Sequence, residues 1–184
     1  MNFYIADMHF NHFNIIKLCQ RPFYSVDDMN RVMILNWNKR VTDNDDVYIV
    51  GDVAFKDSKS AIEIVNQLKG RKHLIIGNHD GKLLKDKEFR NCFVNIKDKD
   101  EIIDNGKSIV LFHYPILEWN GYFRGTYHIY GHIHNNVKNK TWYFLANEYK
   151  ALNAGVEVND YKPVTFEELV KNNEVFRKNN VPRI

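Results

Sequence analysis

Apolar residues in this chain fall into short runs broken by polar punctuation, and the period of the pattern changes along the length. Runs rich in β-branched and aromatic residues occupy positions 3–6, 47–50, 73–76, 108–112, 128–130 and 142–145. Their length is that of strands covered on both faces, and all six are predicted as strands. Between the early runs the period is helical. Ser25 and Asp28 have the form of an N-cap and capping box, followed by an apolar stripe of Met29, Val32, Met33, Leu35, Trp37 and Val41. A second helix is predicted over 58–68, with Ala61, Ile62, Ile64, Val65 and Leu68 on one face and Gly70 as its stop. From about position 93 the pattern becomes strand–turn–strand, with Asn105-Gly106 as a two-residue hairpin turn. The charge run at 97–101 reads as a solvated turn or hairpin end, and 167–176 as a closing helix. Strand–helix alternation followed by hairpins predicts two sheets with helices outside.

Composition narrows the class. The chain has 184 residues, 44% of them hydrophobic and 27% charged, which fits one domain spanning 1–184 with a sizeable core. Its apolar runs are far shorter than a bilayer span, so no membrane helix is expected. The two cysteines, Cys19 and Cys92, read as reduced thiols, and no basic-then-apolar leader opens the sequence; both point to a cytoplasmic protein. A net charge of +3 permits an anionic substrate but is not the dense basic surface of a nucleic-acid binder.

Chemistry enters at the ends of the runs. They are followed by Asp7-Met8-His9, Gly51-Asp52, Gly77-Asn78-His79-Asp80, His113 and Gly131-His132-Ile133-His134. In open α/β sheets ligands bind beyond the carboxyl ends of strands, so these blocks would face one crevice. Burying such a set without compensation is costly, whereas divalent metal turns it into a ligand shell. The residue arithmetic suits two ions. Asp-x-His and His-x-His each supply two ligands, and Asp52 can bridge, leaving Asn78 and His113 for the second ion. Nitrogen and oxygen donors without thiolate favour Mn²⁺, with Fe, Zn²⁺ or Ni²⁺ as alternatives.

The five blocks, in this order, resemble the calcineurin-like metallophosphoesterase superfamily over nearly the whole chain. The surrounding stretches 7–16, Arg21-Pro22-Phe23, Asn36-Trp37-Asn38 and Gly70-Arg71-Lys72 resemble its short bacterial and bacteriophage members. The resemblance implies an α/β (α+β) four-layer αββα sandwich of two mixed β-sheets flanked by helices, with a dinuclear site at the strand C-terminal ends. It implies that Asp7, His9, Asp52 and His134 bind one metal and that Asp52, Asn78, His113 and His132 bind the other. His79 would contact the substrate phosphate and assist the leaving group, with Asp80 holding its imidazole in the useful tautomer. The chain departs from protein Ser/Thr phosphatases, because Asp52 is followed by Val53-Ala54-Phe55 rather than an Arg, and His79 by Asp80 rather than Glu. A phosphoprotein substrate is therefore disfavoured.

The implied activity is hydrolysis of a small phosphate ester, mono- or diester and nucleotide-like, by a hydroxide bridging two ions. A nuclease and a non-catalytic metal-binding scaffold are the alternatives. His12 and Arg21 recur in the short members' pattern and are candidate substrate contacts. So are Trp119 and Arg124 in the aromatic loop 114–127, which is tethered between His113 and His132. Its aromatic rings could stack on a base and Arg124 could grip phosphate; sheet-edge packing or a dimer contact are the other readings of that loop. A lone histidine is more often structural than a ligand, which is the reading given to His73 and His128.

Overall fold

The computed structural model describes residues 1–55 and 57–180. Its eight strands form two four-stranded sheets. The first contains β1 (Asn2–Ile5), β2 (Asp46–Val50), β3 (Arg71–Ile75) and β4 (Asn95–Lys97), paired parallel in that order. An antiparallel bridge from Tyr4 to Val164 extends its β1 edge. The second contains β5 (Lys99–Asp104), β6 (Lys107–Phe112), β7 (Tyr127–Tyr130) and β8 (Ala151–Asn153), antiparallel at β5–β6 and parallel beyond. The helices are α1 (Phe13–Leu18), α2 (Val26–Asn38), α3 (Ser58–Val65), α4 (Lys87–Asn91), α5 (Lys140–Leu145) and α6 (Phe166–Asn180).

Side-chain alternation along the strands builds the layers. Phe3 and Ile5 of β1, Val47 and Ile49 of β2 and Leu74 of β3 pack on one face with Met29, Met33 and Trp37 of α2 and Ala61, Ile64 and Val65 of α3. Tyr4, Val50 and Ile75 point the other way and meet Ile109, Leu111, Ile129 and Leu152 of the second sheet. The outer face of that sheet, with Val110, Tyr130 and Ala151, is covered by Trp119, Trp142 and Leu145. The order is helix, sheet, sheet, helix, as expected.

Local signals explain several boundaries. Ser25 Oγ accepts from the Asp28 amide and starts α2, while Asp57 accepts from the Ser60 amide and starts α3. In the α2 stripe Met29, Met33, Trp37 and Val41 are buried, but Leu35 is largely exposed. The hairpin turn has left-handed φ at both Asn105 (46°) and Gly106 (78°), as a type I′ turn requires.

One expectation is corrected and another is narrowed. The run 142–145 is helix, because Asn139 caps it through the Thr141 amide and because Trp142 and Leu145 are buried while Tyr143 and Phe144 are exposed. A short apolar run does not distinguish these periods by composition. The charged stretch 97–101 is solvated and, of its two readings, is the hairpin end rather than a turn: β4 ends at Lys97 and β5, paired antiparallel with β6 from Lys99 on, carries the chain into the second sheet.

Candidate metal centre

Each block lies just beyond the carboxyl end of a strand: β1, β2 and β3 from one sheet, β6 and β7 from the other. The chain reverses sharply there. Asp7 (φ 57°), His9 (50°), Asp52 (57°), His132 (71°) and His134 (50°) all adopt the left-handed backbone region. That region costs a non-glycine residue on the order of 1 kcal/mol or more, and its concentration on five of the expected ligands marks a functional constraint. The glycines between them give room. A Cβ on Gly77 would stand 2.3 Å from Asp52 Oδ1, and one on Gly131 would stand 2.7 Å from Asp7 Oδ2.

The blocks interlock. The Asp7 amide donates to the Gly51 carbonyl and the His9 amide to the Asp52 carbonyl, each at 3.0 Å. The His132 amide donates to Asp7 Oδ1 and Oδ2 at 3.0 and 2.9 Å, joining the two sheets, and the His79 amide donates to Asp52 Oδ1 at 2.8 Å. The free oxygen of Asp52, Oδ2, lies 3.5 Å from both His9 Nε2 and His113 Nε2. Asn78 Oδ1 is 3.0 Å from His113 Nε2 and 2.8 Å from His132 Nδ1. His113 Nδ1 meets the Val50 carbonyl at 2.8 Å, an acceptor, so this nitrogen carries a proton, and in the neutral ring Nε2 is left to face the two oxygens with its lone pair.

With that ring neutral, acceptor faces acceptor at His113 Nε2, a conflict that a cation would resolve. Donor atoms of Asp7, His9 and His134 lie within 4.8 Å of one another, as do those of Asp7, Asp52 and His113. Both ring nitrogens of buried His9 have no hydrogen-bond partner among the described residues. Burial pushes the Asp7 carboxyl up to about 6 and holds the His9 imidazole far below its usual range, as expected where a compensating charge is required. The residues present therefore fit divalent metal.

His79 is exposed and stands edge-on to His9, with ring centroids 5.3 Å apart. His12 stacks on Phe55 at 4.2 Å. His79 and His12 line a cleft of about 700 Å³ with His9, His132 and His134, bounded further out by Ile15, Leu18, Gln20 and the 135–139 loop.

Asp80 does not contact the His79 ring. Its buried carboxylate accepts from the Asp52 and Gly77 amides through Oδ2, at 2.9 and 2.8 Å, and from the Val53 amide through Oδ1 at 2.9 Å. It orders the backbone that carries Asp52 rather than a histidine tautomer. Arg21 is also not a substrate contact: its side chain is fully buried against Glu157. Trp119 is buried in the packing of its own loop, donating from Nε1 to the Thr126 carbonyl at 2.8 Å. Arg124 is exposed and lines a separate cavity with Glu101, Asn120 and Thr126, away from the histidine cleft. Of the aromatic loop, Tyr114 reaches the cluster, 4.7 Å from the His132 ring.

The sequence reading missed Glu157. Its Oε1 accepts from Arg21 Nε and Nη2 at 2.9 and 2.7 Å and lies 3.1 Å from His134 Nδ1. Burial opposes a charge on His134, but Cys19, Glu157 and Asp7 outweigh it and raise that imidazole to about 11 in the absence of metal. The signal that could have found Glu157 is the one the other blocks share: β8 ends at Asn153 and Gly155-Val156-Glu157 follows.

No family model matches the chain. The uncharacterized protein MJ1445 of Methanocaldococcus jannaschii is 38% identical over 170 residues, covering 91% of this chain and 88% of that protein. The crystal structure of the protein of unknown function AQ665 from Aquifex aeolicus superposes with a TM-score of 0.72 at 32% identity, covering 93% of this chain and 98% of that one. The nuclease MPE of Pseudomonas putida is 14% identical with a TM-score of 0.43 over 72% of this chain and 61% of its own, too distant a likeness to bear on function. By its identity and coverage with the first of these relatives, the chain belongs to the family of the uncharacterized protein MJ1445.

Proposed function

We propose that this protein is a metal-dependent phosphoesterase of the calcineurin-like type, acting on small, nucleotide-like phosphate mono- or diesters. The observation that carries the reading is Asp52 Oδ2, equidistant at 3.5 Å from an imidazole nitrogen on either side, the position of a bridging carboxylate. Asp7, His9, Asp52 and His134 would hold one divalent ion, and Asp52, Asn78, His113 and His132 the other, with Mn²⁺ the best fit to the donors. When bound, such ions supply positive charge against phosphate oxygens and acidify water.

The chain's own groups do the rest. His79 sits at the mouth of the cleft with its ring free of the Asp52 loop that fixes its backbone, so Nδ1 or Nε2 can donate to a phosphate or leaving-group oxygen. His12, held flat against Phe55, adds a second imidazole on the same wall. The cleft volume of about 700 Å³ suits a small molecule. Among the described residues that line it, Lys138 is the one lysine or arginine, which favours a small ester over a nucleic-acid backbone.

A panel of phosphate monoesters, cyclic nucleotides and oligonucleotides, assayed with Mn²⁺ for released phosphate and nucleotide separately, tests the reading. Metal-dependent hydrolysis of the small esters is expected. A protein that binds Mn²⁺ yet hydrolyses none of the panel is the scaffold instead. The His79→Ala variant should keep its ions and lose turnover by about 10²-fold or more, most for esters with poor leaving groups.

A further inference from the structure

Arg21 and Glu157 are 136 residues apart in sequence and form an ion pair whose side chains are 0% and 1% exposed. A buried pair of this kind is a poor investment in stability, since apolar residues of similar volume do as well. Besides the Met29 sulfur and the Tyr161 ring, which pack against the guanidinium, its contacts lead to the candidate metal centre. Arg21 Nη2 donates to the Asp7 carbonyl at 2.7 Å and Nη1 to the Met8 carbonyl at 2.8 Å, so the guanidinium grips the backbone of the Asp-x-His block. The same Glu157 oxygen that receives Arg21 faces His134 Nδ1 at 3.1 Å. On the other side of this histidine, Asn153 Nδ2 donates to the His134 carbonyl at 2.8 Å.

We infer that Glu157 is a positioning residue that fixes His134 as the Nδ1–H tautomer, with its Nε2 lone pair turned to the cation cluster, and that Arg21 in turn holds Glu157. The inference rests on the metal reading of the site given above. An ionised carboxylate only accepts, so its contact with Nδ1 requires the proton to be there. The guanidinium neutralises the carboxylate and holds its oxygen at His134 Nδ1. Outer carboxylates of this kind typically contribute about 10–100-fold to metal affinity. The arrangement also links two ligand blocks through one cation: Arg21 touches the block bearing Asp7 and His9 directly and the block bearing His134 through Glu157.

Two measurements test this. In ¹⁵N-labelled wild-type protein loaded with Zn²⁺, long-range proton–nitrogen spectra should show the His134 proton on Nδ1; a proton on Nε2 overturns the inference, whatever any variant does. In equilibrium dialysis with Mn²⁺, Glu157→Gln should weaken one of two bound ions by about 10–100-fold while the other is held nearly as in wild type. Wild-type protein that takes up no Mn²⁺ overturns the metal reading itself. Wild type that binds two ions alongside a Glu157→Gln variant binding both equally well overturns this inference alone. Should that variant not fold, Arg21→Lys, which keeps the charge and loses the fork, is expected to show a smaller weakening of the same ion, and unchanged binding counts against the inference.

Discussion

At the scale of single residues, the site is governed by where a side chain is forbidden. Gly77 has no unusual φ, so its role is space alone: Asp52 Oδ1 occupies the volume a methyl group would take. Gly77→Ala should therefore displace the Asp52 carboxylate and, on the proposed reading, lower bound metal and turnover together by tenfold or more at about 1–3 kcal/mol of stability. Metal analysis beside a urea melt checks it, and unchanged metal content would show that the loop absorbs the methyl. The blocks that gather into this cluster were legible because each follows an apolar run, and those runs are strands. Roles carried by hydrogen bonds to backbone were not. Asp80 looks like a partner for His79 in sequence, being adjacent to it, yet its oxygens reach amides at positions 52, 53 and 77. Glu157 was hidden because its two partners lie 136 and 23 positions away and its strand is three residues long.

At the scale of elements, local signals were read correctly where they close on themselves and misread where tertiary packing decides. The Ser25 cap and the Asn105-Gly106 turn need nothing beyond a few residues. Trp142–Leu145 is apolar enough for either period, and the choice is made by the Asn139 cap and the buried outer face of the second sheet. The aromatic loop shows the same dependence. Trp119 meets Tyr122 edge-on at 4.8 Å and lies 5.2 Å from the His128 ring, filling the space over that sheet. Trp119→Ala should accordingly cost about 3–5 kcal/mol in a denaturant titration, without changing the ratio of KM values for a nucleotide ester and a small generic ester. A selective rise in KM for the nucleotide would return this loop to the substrate wall.

For the molecule as a whole, stability should depend on acid through a residue outside the site. His128 is buried on β7, with Nδ1 3.2 Å from the Val110 carbonyl and no hydrogen-bond partner for Nε2 among the described residues. Burial is the main cause that pushes its imidazole from 6.5 down to about 4. As pH falls, the unfolded chain takes up this proton first, so stability is lost from about 6.5 down to about 4 and no further below. The difference is worth on the order of 3 kcal/mol. Urea melts between these limits should fall less steeply for His128→Leu than for wild type; parallel curves would assign the acid sensitivity elsewhere. The bland reading of His128 as a structural histidine accords with its place in the packing. No helix among the described residues is long and apolar enough to cross a membrane.

Asp7 arrives from the first sheet, and the amide that clasps it, at His132, arrives from the second. The candidate metal centre is thus a seam, and nothing short of both halves joined can make it. On the proposed phosphoesterase reading, the growing polypeptide would stay inert toward phosphate esters until position 134 has emerged, and Glu157 comes later still. Hydrolytic power would then switch on late and all at once, as a by-product of finishing the fold.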